Sequence, residues 1–135
     1  MPYSFFGHTA DVRMSVKGKT FEELFQDALL GMVEIMNPSR PREARPVKRE
    51  IAIEAPDATA LLIDFLNEAL SSMQVEREAY AVVRFLSLSE HSLKAKLEGY
   101  KAGSFGEDIK AVTYHEAKIK QNEKGEWETI LVFDI

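Results

Sequence analysis

Val12, Met14 and Val16 alternate with Arg13, Ser15 and Lys17. A period of two is that of a strand with one buried and one wet face. The aromatic run Tyr3–Phe6 before it reads as a short edge strand. Gly18-Lys19 turns the chain, and the period then changes. Phe21, Leu24, Phe25, Ala28, Leu29, Met32, Ile35 and Met36 recur at three-and-four spacing, which predicts an amphipathic helix over 21–36. Thr20 stands three residues before Glu23, the spacing of a capping box. Asn37-Pro38 ends the helix. Ile51 and Ile53 alternate in a strand over about 47–55. Asp57 is placed to cap a second helix, whose stripe of Leu61, Leu62, Phe65, Leu66, Ala69, Leu70 and Met73 ends near Gln74. Strands over about 81–89 and 92–100 follow, joined tightly at Glu90-His91, and 99–106 is the loosest stretch. Residues 110–120 alternate as one strand, with Ala111, Thr113 and His115 on one face and Val112 and Tyr114 on the other. A turn at 122–125 leads to a final strand over 127–133.

The order is therefore ββαβα followed by four strands. Late consecutive strands with short turns favour antiparallel pairing, so the class is α+β, with two amphipathic helices packed on a mainly antiparallel sheet or sheets. At 135 residues the chain predicts one domain, 1–135. The absence of cysteine removes disulfides, thiolate metal sites and cysteine nucleophiles. With no signal-like opening and no long apolar run, a cytoplasmic location and no membrane contact are expected.

Net charge is −5, from 17 basic and 22 acidic side chains. Such a chain binds nucleic acid poorly on its own unless its basic groups cluster. Arg40, Arg42, Arg45, Lys48 and Arg49 do cluster, but Glu43 and Glu50 interrupt them and no aromatic is interleaved for base stacking. The stretch reads as a solvated, proline-stiffened loop, or else as a docking surface for an acidic partner or RNA phosphates. Asp64 and Glu68, four apart on the second helix, read as its solvated polar side.

No phosphate loop, nucleophile elbow or zinc-protease motif is present. His91 falls in a turn, and His115 is either structural or site-facing. His8-Thr9-Ala10-Asp11 sits at a bend where His8 and Asp11 converge on one point, unless these are ordinary turn residues. Asp134 and the α-carboxylate of Ile135 put two acidic groups side by side at the end of the last strand. If the sheet brings Asp11 beside them, three carboxylates converge. Hard oxygens of this kind suit Ca²⁺ first, or Mg²⁺ or Mn²⁺. The alternative is that they are simply hydrated at an edge.

Several segments together resemble the archease family: Phe6-Gly7-His8-Thr9-Ala10-Asp11, Gly18-Lys19-Thr20-Phe21-Glu22-Glu23-Leu24-Phe25, Leu61-Leu62-Ile63-Asp64-Phe65-Leu66-Asn67-Glu68, Ile109-Lys110-Ala111-Val112-Thr113-Tyr114-His115 and Phe133-Asp134-Ile135. The resemblance implies an accessory protein, not an enzyme. Its partner would be an RNA ligase of the RtcB type, helped to load guanylate and to turn over repeatedly in tRNA splicing. It implies a divalent-metal site at Asp11, Asp134 and the Ile135 carboxylate, and a functional Lys110. His8 and Thr9 would then orient Asp11. Two alternatives stand beside this one: a chaperone-like modulator of RNA-modifying enzymes such as tRNA methyltransferases, and a free-standing metal-dependent phosphoesterase with His8 or His115 as general base. The chain departs from the family pattern at Asn37-Pro38, where many relatives have Thr-Asp, and in a short loop before Ile109 that lacks the usual histidine.

Overall fold

The computed structural model describes residues 2–6 and 11–135. Its elements are β1 (Tyr3–Phe6), β2 (Asp11–Gly18), α1 (Phe21–Met36), β3 (Pro46–Glu54), α2 (Ala58–Glu76), β4 (Glu78–Leu88), β5 (Ser92–Lys101), β6 (Ala111–Thr113), β7 (Lys120–Gln121) and β8 (Trp127–Asp134). The fold is α+β. Among the described residues no helix is long and apolar enough to cross a membrane.

Both helices start where their caps predict. The Thr20 hydroxyl accepts from the Glu23 N–H at 3.0 Å, and the Glu23 carboxylate reaches back to the Lys19 N–H at 2.7 Å. Asp57 accepts from the Ala60 N–H at 2.8 Å. These contacts satisfy N–H groups that a helix start otherwise leaves orphaned. Asn37 takes a left-handed φ of 48° and closes α1 with its own N–H on the Val33 and Glu34 carbonyls. The second helix runs past Gln74 to Glu76, and Arg77, at φ 54°, alone connects it to β4.

The strands form two antiparallel sheets. One has the order β1-β2-β8-β6, with the short β7 also paired to β8; the other is β3-β5-β4. Helix α1 packs on β2 and β4, and α2 on β3 and β6, so each helix touches both sheets. This explains why their apolar surfaces are wide. In α2 the buried set includes Leu61, Leu62, Ile63, Phe65 and Leu66, more than a single narrow stripe. Phe25 and Phe65, both fully buried, meet Phe85 of β4 at centroid distances of 6.3 and 5.9 Å.

Three expectations need correction. The predicted strand 110–120 breaks after Thr113, so five strands follow α2, not four. The break is a turn: Ala117 N–H donates to the Tyr114 carbonyl at 3.2 Å, and Glu116 sits at φ 63°. An L residue in that region cannot continue a strand. His115 thereby leaves the sheet face and is exposed in the turn. Second, Gly99 lies within β5 rather than in a loose stretch. A Cβ there would fall 1.7 Å from the Ala79 carbonyl oxygen of β4, so only glycine allows the two backbones to approach this closely. Third, the basic stretch is not all loop. Lys48 and Arg49 are in β3, and Arg49 donates from Nε and Nη2 to one oxygen of Glu78, at 2.9 and 2.6 Å. Glu78 is 1% exposed, so this is a buried carboxylate compensated by a guanidinium.

Candidate functional site

The larger sheet sets the site by register. Val12, Met14 and Val16 of β2 oppose Phe133, Leu131 and Thr129 of β8, and this face closes on the core. The intervening residues therefore point the other way. At the end of the ladder Asp11 stands directly opposite Asp134. Directly opposed residues in an antiparallel pair share a face, with Cβ atoms about 5 Å apart. The two aspartates thus occupy directly opposed positions on the outer face. Neither carboxylate has a hydrogen bond or ion pair among the described residues. Like charges directly opposite one another are destabilising.

On the far side of β8, Asp134 is opposite Ala111 of β6, and the Lys110 N–H donates to the Asp134 carbonyl at 2.7 Å. Lys110 is brought to this end of the sheet through its main chain, and its side chain is exposed. Ile135 packs its side chain against the core, which docks the last residue next to Asp134. Next along the same outer face, Arg13 reaches across β8 to Glu116 at 3.2 Å. Val132 lies under this bridge, opposite Arg13, and is only 2% exposed on what is otherwise the wet face.

The segment that carries Lys110 is held on its other edge by α2. The Asn67 side-chain amide donates to the Val112 carbonyl and accepts from the Val112 N–H, both at 2.9 Å. It acts as a one-residue substitute for a neighbouring strand. One face of α2 also brings Gln74 to the Ile109 carbonyl at 2.5 Å and to Asp108 at 3.1 Å. On the same face Asp64 accepts from the Tyr114 hydroxyl at 2.8 Å. That bond, aided by burial and the Asp64 charge, raises the Tyr114 phenol above its ordinary pKa. Reading the polar side of α2 as merely solvated missed these positioning residues. Asn67 and Gln74 lie seven apart beside Asp64, and that amide spacing was the available signal.

Of the residues singled out, Asp11 and Asp134 are brought together and Lys110 is brought next to Asp134. His115 is in the turn, where its N–H donates to Thr113 Oγ1 at 3.3 Å. His8 and Thr9 lie outside the described residues. Among the described residues no group of three or more His, Cys, Asp or Glu side chains comes together as a metal cage.

The family model described as "Archease protein family (MTH1598/TM1083)" matches residues 3–135. The chain belongs to the archease family. Its relatives include the protein archease of Thermococcus gammatolerans, 34% identical over 137 residues, covering 96% of each chain. That of Methanosarcina barkeri is 32% identical over 141 residues, covering 98% of this chain and 95% of the relative. Among solved structures, the solution structure of Methanobacterium thermoautotrophicum protein 1598 superposes with a TM-score of 0.74 at 27% identity, covering 99% of both chains. A Thermotoga maritima crystal structure, described as an archease and possible chaperone, gives 0.71 at 23% identity over 96% of this chain and 94% of that one, a likeness of fold alone. Archease membership thus spans both ends of the candidate site.

Proposed function

We propose that this archease is an accessory protein of an RtcB-type RNA ligase, promoting guanylate loading and repeated turnover through an acidic, divalent-metal-binding end of its larger sheet. The reading is supported by the opposition of Asp11 and Asp134 on one sheet face, where neither carboxylate forms an ion pair among the described residues. An acidic pair costs stability unless something positive is bound to it, so a chain that holds one in fixed register has a reason to bind cations or a basic partner.

The donor chemistry fits a hard cation. Asp11, Asp134 and the Ile135 α-carboxylate would hold Ca²⁺, with Mg²⁺ or Mn²⁺ as alternatives. Such an ion, when bound, supplies neutralisation of the opposed charges and a rigid oxygen-ligated point. The chain's own residues do the rest. The ladder from Asp11 to Gly18 fixes one carboxylate and the Lys110 N–H fixes the backbone that carries the other. The docked Ile135 side chain orients the terminal residue, and exposed Lys110 offers a cation for contact with a ligase or a nucleotide phosphate. Such a helper works by binding one ligase state better than another. The phosphoesterase alternative draws no support from His115, which has turned off the sheet face.

The test measures guanylylation of the ligase with GTP in the presence of wild-type protein, Asp11→Asn and Asp134→Asn, alongside Ca²⁺ binding by calorimetry. Both variants should lose most of the stimulation and weaken cation binding by tenfold or more, on the order of the loss expected when a metal ligand set is broken. Full stimulation by both would refute the reading.

A further inference from the structure

Of the seven arginines in the chain, Arg13, Arg49 and Arg84 are paired to glutamates. The other four, Arg40, Arg42, Arg45 and Arg77, gather at one end of the smaller sheet. None of them has a carboxylate within ion-pair distance among the described residues, although Glu43, Glu76, Glu107 and Asp108 lie on the same segments. Main-chain pairing brings them together. The Lys101 N–H donates to the Arg45 carbonyl at 2.9 Å and the Ala102 N–H to the Arg77 carbonyl at 2.8 Å.

The loop that carries Arg40 and Arg42 is clamped, not loose. Ser39 N–H donates to the Ser104 carbonyl at 2.8 Å, Gly103 N–H to the Ser39 carbonyl at 3.0 Å, and Ser104 N–H to Ser39 Oγ at 2.8 Å. Pro38 pairs with Phe105 as an isolated bridge, and a turn closes Pro41 to Ala44 at 3.1 Å. This clamp supplies what the primary sequence lacks. The basic stretch contains no aromatic, but the fold sets Tyr100 and Phe105 beside it. The Arg40 guanidinium lies 4.7 Å from the Tyr100 ring centroid, and that of Arg77 5.8 Å from the Phe105 centroid. Arg77 is further fixed by donating to the Gly103 carbonyl at 3.0 Å. A guanidinium stacked on a ring keeps its N–H edge turned outward at low entropic cost, the geometry that takes a phosphate in a bidentate way.

We propose that this arginine-aromatic edge binds single-stranded nucleic acid, with the guanidiniums of Arg40, Arg42, Arg45 and Arg77 on successive phosphates. The aromatic partners favour a nucleic-acid strand over an acidic peptide, because bases stack on rings and stacked guanidinium planes whereas carboxylate side chains do not. The site is distinct from the carboxylate pair and does not rely on it. An overall charge of −5 makes binding depend on this local cluster.

The experiment is fluorescence anisotropy of a labelled short uridylate RNA titrated with the full chain, at several salt concentrations. The observed constant should fall with salt at a log–log slope of about −3, four phosphates at roughly −0.7 each. The double variant Arg40→Gln/Arg42→Gln, both exposed and far from the core, should bind at least tenfold more weakly with about half that slope. Unchanged thermal unfolding of the variant assigns the loss to the lost contacts. Absence of RNA binding at low salt would overturn the proposal, as would a double variant indistinguishable from wild type. Tighter binding to a labelled polyglutamate peptide than to RNA would overturn it in favour of an acidic protein partner.

Discussion

Replacing Asn67 by alanine tests how the strap carrying Lys110 is held to the end of β8. The wild-type amide makes two bonds of 2.9 Å to the Val112 backbone, and β6 is only three residues long. Val112 is 3% exposed, so water replaces the lost partner poorly. Each net hydrogen bond is worth about 1 kcal/mol, and leaving a buried N–H and carbonyl unpaired adds to the loss, giving about 2–3 kcal/mol together. With an unfolding entropy of about 2.1 cal/mol/K per residue over 135 residues, 1 kcal/mol moves Tm by about 3.5 °C. Asn67→Ala should therefore lower Tm by about 7–10 °C, read by circular dichroism. Amide exchange at Val112 and Lys110 should speed up more than exchange in β2. A Tm drop of less than about 3 °C with unchanged Val112 exchange would refute this. The amide would then be a passenger on a strap held by β8 alone.

Two further outcomes concern ionisation. Tyr80 is 1% exposed and its hydroxyl makes no hydrogen bond among the described residues, and burial, then the Glu78 charge, pushes the phenol up to about 12, with the Arg49 charge opposing. The native state resists losing that proton while the unfolded chain gives it up near 10, so wild-type stability should fall as pH climbs from 10 towards 12. Tyr80→Phe should remove that slope and gain about 1 kcal/mol at neutral pH by deleting an unpaired buried hydroxyl; a loss of stability at neutral pH would contradict this. Asp27 is raised by partial burial and by the Glu23 charge, so its native carboxyl holds a proton more tightly than the unfolded one. Stability from this group is present in acid and lost as pH rises through its range. Asp27→Asn should raise Tm at neutral pH and leave it unchanged in strong acid, and equal shifts at both would sink the assignment.

Most of the fold was legible because periodicity and capping report on local physics. Thr20 with Glu23, and Asp57 before Ala60, make in space the bonds that their spacing announces. The errors come from contacts that no local window contains. Residues 110–120 alternate as a strand would, yet the chain turns after Thr113, with Glu116 at φ 63° and its carboxylate paired across β8 with Arg13, a hundred residues earlier. Gly99 looks like a loop residue in sequence. Its role emerges only when β4 is laid against β5 and the Ala79 carbonyl occupies the space a side chain would need. Likewise Arg49 reads as one more solvated cation until β5 brings β3 and β4 to either side of it and Glu78 appears beside it.

The candidate site was legible in a different way. Asp11 and Asp134 stood out in the sequence as acidic candidates at opposite ends of the chain, and only a particular register could make them meet. Register in a half-buried ladder is set by the buried face, because a slip of one residue would turn Val12, Met14 and Val16 outward. The same apolar alternation that marks β2 and β8 as strands thus also fixes which polar residues are opposed at their ends. Once Met14 is committed to Leu131 and Val12 to Phe133, the next pair along the ladder is Asp11 with Asp134. The hydrophobic core therefore provides the energy that holds two like charges face to face, and the cost of their repulsion is small beside it. The proposed cation site, assembled in this way, needs no dedicated loop. Its affinity should follow the stability of the β2–β8 ladder, so core substitutions such as Leu131→Ala would weaken cation binding without touching a ligand.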